Sequence, residues 1–142
     1  MKLRLILLFS LIITIFSSCN INKVHPVPNV PFDIIINLNL PTYNSLLGVG
    51  GYAIVESIGY KGVIIYRRSL NEFVAFDLQS PAEEAGCETP LQVNADNFLQ
   101  LDDVCYNAKF SLFDGSPMEG SKFGLRMYIA QFDGLNNLRI MN

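Results

Sequence analysis

The sequence predicts an all-β domain, a small antiparallel β sandwich or barrel. Three observations carry that expectation. Apolar residues alternate with a period of two from Phe32 onward, Val, Ile, Tyr and Phe concentrate in short runs, and Gly, Pro, Asn and Asp clusters interrupt those runs at strand-length intervals. Helix patterns are nearly absent. The segment PAEEAG at residues 81–86 supports one turn and no more.

Each element follows from the order of the residues. Phe32, Ile34, Ile36, Leu38 and Leu40 alternate with Asp33, Ile35, Asn37 and Asn39, as in a half-buried strand that Pro41 stops. Gly48, Gly50 and Gly51 lead into a strand at YAIVES, so they form a turn; a phosphate-binding loop would open a helix. Gly59 and Gly62 bracket a turn before VIIYRR, and Ser69–Asn71 turn the chain into EFVAFD. Residues 78–107 are loop-rich and acidic, with a short hairpin of LQVN and FLQL joined through Ala95–Asn97. Strands resume at AKFSLF, followed by a turn at Asp114–Pro117, a long strand over Phe123–Phe132, a turn at Asp133–Gly134, and LRIM. Tyr43, Tyr52, Tyr60, Tyr66 and Tyr128 lie on or beside strands and are expected to pack.

Composition bounds the function. With 142 residues the chain has room for one principal domain. Ten basic against thirteen acidic residues, with no Lys/Arg run, exclude the basic patch that neutralises nucleic-acid phosphates. A single His, His25, excludes a multi-His metal site and restricts any Ser-His-Asp triad to that imidazole. It lies among Pro26, Pro28 and Pro31, in what reads as a solvated, extended spacer. No nucleophile–base pair is visible, so the chain is not expected to be an enzyme. Glu83, Glu84, Glu88, Asp102 and Asp103 crowd the middle loops. Their spacing matches no Ca²⁺ loop, and nothing in sequence fixes the separation that a glycosidase pair requires. They are expected to be solvated surface acids.

The N-terminus reads as an address. Lys2 and Arg4 precede an apolar run, and Ser17 and Ser18 precede Cys19, the arrangement of a secretory signal. Leu3–Phe16 is too short to span a hydrocarbon core of about 20 residues. The small residues ending in Cys resemble a bacterial lipoprotein signal, which implies cleavage before Cys19 and acylation of its thiol. The expected organisation is a signal peptide at 1–18, a lipidated Cys and Pro-rich linker at 19–31, and the β domain at 32–142. As an extended spacer, residues 20–31 would stand the domain off a membrane by up to about 37 Å. Loss of residues 1–18 removes two basic and no acidic groups, leaving 124 residues and a net charge of −5. Cys87 and Cys105 then remain. Outside the cytoplasm a disulfide is the expected state, with two buried thiols or a metal pair as alternatives.

The segment YNAKFSLFDGSPMEG, followed by FGLRMYIAQFDG and LRIMN, resembles the end of the Rieske iron–sulfur fold. That family runs ligand–Gly–Ser–x–aromatic, a Gly-x-Pro turn, a strand and a closing hairpin. GVIIYRRSLNEFVAFDLQSP resembles its hairpin leading into the first cluster-binding loop. The likeness covers roughly residues 51–142, and in particular resembles Rieske-like lipoproteins.

A Rieske cluster takes two thiolates and two imidazoles. The family's Cys-x-His loop matches Ser80, Pro81 and Ala82, and its Cys-x-x-His loop places Asp103 and Tyr106 at the ligand positions. Anchoring on Cys105 moves the second imidazole position to Ala108. Neither register supplies a His, so the resemblance implies degenerate cluster positions and no cofactor. It also implies a staple: respiratory-type members join the two loops by a disulfide, and Cys87 and Cys105 fall in its register.

These readings lead to one expectation: a non-catalytic, membrane-anchored lipoprotein of the bacterial cell envelope, periplasmic or at the outer membrane. Its partners would be the membrane, through the lipid, and an unidentified protein. Tyr106, Pro81 and Phe98 are candidates for an apolar docking tip. The alternative expectation is an electron-transfer or metal-binding protein with a non-standard site.

Overall fold

The computed structural model describes residues 24–82 and 88–142. The described residues form ten strands: β1 Asp33–Asn37, β2 Tyr52–Val55, β3 Val63–Ser69, β4 Glu72–Asp77, β5 Gln92–Val93, β6 Gln100–Asp102, β7 Lys109–Ser111, β8 Pro117–Glu119, β9 Met127–Phe132 and β10 Asn137–Met141. The fold is all-β. A curled six-stranded antiparallel sheet of order β1-β10-β9-β4-β3-β2 makes a half-barrel, and β5-β6-β7-β8 make a second, smaller sheet.

Two apolar runs explain this layering. Successive strand residues point to opposite faces, so an uninterrupted apolar run needs cover on both sides. Val63–Tyr66 and Phe73–Phe76 are buried throughout. Val63, Ile65, Phe73 and Ala75 face the inside of the half-barrel, where they meet Ile36, Leu38, Leu46, Tyr128, Leu138 and Ile140. Ile64, Tyr66, Val74 and Phe76 face the other way, onto Leu101, Phe110 and Leu112 of the smaller sheet and its flanks. The molecule therefore has two cores separated by one hairpin.

The six-stranded sheet has a narrow seam. β4 and β9 pair only through Ala75↔Tyr128 and Phe76↔Met127, extended by the Asp77 N–H donating to the Arg126 carbonyl at 2.9 Å. The Asp77 carboxylate sits on this seam, wholly buried.

Three elements differ from expectation. Beyond Pro41 the chain forms a 3₁₀ helix, Pro41–Leu47, with the proline in its first turn where its missing N–H is harmless. Leu46 enters the inner core, and Arg67 Nη1 donates to the carbonyls of Leu46 and Leu47 at 3.0 and 2.8 Å. The long strand expected from Phe123 begins only at Met127, because Leu125 N–H is diverted to Gly115 O at 2.8 Å. Gly115 itself has φ +75°, and a Cβ there would lie 2.5 Å from the Phe76 ring. The turn expected at Asp114–Pro117 gives way at Pro117 to β8, an edge strand, where a missing N–H is tolerated.

Residues 24–31 were expected as a free spacer, with His25 in solvent. Instead they lie against the domain as a strap. Val27 is 1% exposed. Arg126 Nε donates to Val27 O at 2.9 Å and its Nη1 to Asn29 Oδ1 at 3.1 Å, while Asn142 Nδ2 donates to Val30 O. Extended Pro-rich backbone makes no internal hydrogen bonds, so its carbonyls take donors from the domain. Among the described residues no helix is long and apolar enough to cross a membrane.

Candidate functional site

The four positions matched to cluster ligands, Ser80, Ala82, Asp103 and Tyr106, lie in loops at one end of the molecule. Three loops meet there: the one leaving β4, the β6–β7 loop at 103–108, and the β8–β9 connection at 120–126. Gly120 stacks the third on the second; its φ is +75°, and a Cβ would lie 2.9 Å from Ala108 Cα. A cleft of about 490 Å³ joins the first and third loops to the strap, lined by Val24, Pro26, Pro81, Ala82 and Gly120–Phe123. A second, of about 460 Å³, is lined by Asp102–Val104, Asn107–Lys109 and Glu119.

Ser80 is buried, and its Oγ accepts from the Ala82 N–H at 3.2 Å. Ala82 packs on the outer core. Asp103 is also buried. Its Oδ1 accepts from the N–H groups of Cys105 and Tyr106 at 2.9 and 3.2 Å, and Asp103 N–H closes the loop on Ala108 O at 2.8 Å. A carboxylate accepting successive backbone N–H groups is an Asx turn, which shapes this loop without help from a ligand. Among the described residues Asp103 Oδ2 has no hydrogen-bond partner.

His25 belongs to this end too. Its Nδ1 accepts from Val27 N–H at 3.2 Å, leaving Nε2 to donate to Gly124 O at 3.0 Å, and its ring meets Phe123 edge-on. One ring nitrogen is committed within the strap and the other to Gly124 of the domain.

An iron–sulfur cluster of the Rieske kind does not fit these residues. The four positions in question hold Ser80, Ala82, Asp103 and Tyr106, the alternative Ala108 is buried in the outer core, and the one imidazole is spoken for. No group of three or more His, Cys, Asp or Glu side chains able to hold a metal occurs among the described residues. Cys19, Cys87, Glu83 and Glu84 lie outside the described residues, so the lipidation site and the Cys87–Cys105 pairing do as well. Of the remaining acids in the expected cluster, Asp102 accepts from Gln100 Nε2 and Asn94 Nδ2, while Glu88 is exposed and its carbonyl accepts from Lys61 Nζ. Lys109 and Glu119 pair across β7 and β8, an ion pair that raises the lysine's pKa.

The three-residue docking tip does not assemble. Tyr106 is exposed at this end, but Phe98 lies in the β5–β6 turn at the opposite end of β6, and Pro81 is buried. Of the tyrosines, Tyr66 and Tyr128 are buried, whereas Tyr60 is half exposed.

Sequence reasoning missed Asp77. Its Oδ2 accepts from Tyr60 N–H at 2.6 Å and the Tyr128 hydroxyl at 2.7 Å, and its Oδ1 from Gln79 N–H at 2.8 Å and Lys61 N–H at 3.2 Å. The only sequence signal was an acid, Asp77, closing the wholly apolar run FVAF. Burial, and then the bond to Asp77, push the Tyr128 phenol well above the ordinary tyrosine range.

No family model, no curated protein and no solved structure matches this chain.

Proposed function

We propose that this chain is a non-catalytic, lipid-anchored protein of the bacterial cell envelope, built on a Rieske-like domain that has exchanged its cluster for protein-only loops, with an interaction or structural role. The observation that carries the reading is the Asp103 turn. A side chain at a ligand position of the resemblance is used instead to organise its own loop through Cys105 and Tyr106. Ser80 does the same for Ala82. The hairpin β3–β4 that runs into the first loop, and the closing hairpin β9–β10, are in the order the resemblance implies. In this reading Cys87 and Cys105 tie the two loops, a closure worth about 3 kcal/mol on the chain-entropy estimate.

The test uses the full chain produced in a bacterium. Acylated protein in the membrane fraction, lost with Cys19→Ser, together with colourless, iron-free material from anaerobic purification, is the expected outcome. Absorption at about 400–500 nm with stoichiometric iron would overturn it in favour of electron transfer. Cys105→Ser should lower the melting temperature, and reductant should lower that of the unsubstituted protein equally.

A further inference from the structure

We infer that the three-loop end of the domain lies against the bilayer surface, held there by the strap. The inference rests on the lipid anchor proposed above, and adds where that anchor leaves the domain. Residues 24–31 do not stand off as a spacer. Val27 is buried, and His25, Arg126 and Asn142 fasten the strap at four points along its length. The strap delivers Val24, 87% exposed, to the rim of the cleft formed by Pro81, Ala82 and Gly120–Phe123.

Only residues 20–23 separate Val24 from Cys19. Five Cα steps reach about 18 Å at full extension. A domain of this length has a radius of gyration of about 14 Å and is therefore about 35 Å across. The reach is about half the width, so the opposite end, which carries the β9–β10 turn and Leu135, cannot be the one that meets the lipid.

The surface at the loop end suits an interface. Val24 and Val104 are exposed there, with Tyr106, whose ring is apolar and whose hydroxyl favours water, and the Lys122 ammonium beside the cleft. A shallow seat of this kind, lying in the headgroup layer, adds to the grip of the acyl chains.

The chain has no Trp, so one introduced Trp reports on its own surroundings. Val104→Trp, Val24→Trp and Leu135→Trp, each in the full acylated chain, are reconstituted into phosphatidylcholine vesicles with and without brominated acyl chains. Flotation is measured alongside emission. Bromolipid is expected to cut emission about twofold for Val104→Trp and Val24→Trp and to leave Leu135→Trp unchanged. Floating protein with equal quenching at both ends, quenching at Leu135→Trp alone, or none at either end, overturns the placement and leaves the anchor standing. Protein that fails to float overturns the anchor, and this inference with it.

Discussion

Asp77 is a buried carboxylate made tolerable by four donors, three from backbone and one from Tyr128. Because β4 and β9 share so short a seam, that carboxylate links the two halves of the large sheet where the ladder is weakest. Asp77→Asn turns one acceptor into a donor facing N–H groups. It should cost about 2–3 kcal/mol in urea unfolding, against about 1–2 kcal/mol for Tyr128→Phe. The phenol also sets a pH dependence. Its pKa in the folded state lies above the unfolded value of about 10, so its contribution is complete below pH ~10 and is lost as pH rises through the folded value. Stability should therefore fall in alkali, and Tyr128→Phe should make that fall shallower. An unchanged alkaline slope would show that Tyr128 is not responsible.

At the level of elements, the strap is the part whose attachment is most easily broken. Arg126→Ala removes donors to Val27 O and Asn29 Oδ1 while leaving the sheets intact. Cleavage within residues 24–31 by a nonspecific protease should accelerate several-fold, for a loss of about 1 kcal/mol in global stability. Equal cleavage rates would mean that the buried Val27 alone holds the segment. The strap shows where sequence reading stopped. Three prolines in it correctly signalled extended backbone, but what receives that backbone is an arginine about a hundred residues away. Alternation from Phe32 located β1, yet Leu40 is exposed because Asn37 turns the chain, its Oδ1 accepting from Asn39 N–H. The site was legible only in part for the same reason. Ser80 and Asp103 could be marked by position, but their burial depends on how three distant loops stack.

For the whole molecule, the fold class was readable because it is local: period, turn residues and β-branched runs all pointed the same way. The two-core arrangement was written in VIIY and FVAF, whose unbroken apolarity demands cover on both faces. Phe76, wholly buried between the outer core and Gly115, tests how the cores are coupled. Phe76→Ala should cost about 3–5 kcal/mol, a large share of the about 5–15 kcal/mol that such domains have. Far-UV and tyrosine signals should still melt together, since the central hairpin serves both cores; separate transitions would show that each sheet stands alone.

Among the described residues β1 is an edge strand whose one neighbour in the sheet is β10, so the first described strand is completed by the last. During vectorial synthesis residues 33–37 emerge about a hundred positions before residues 137–141. The half-barrel therefore stays open until residues 137–141 are available to β1. Joining strands so far apart in sequence is the pairing of highest loop-closure cost in the sheet, and it is the one that ring closure must wait for.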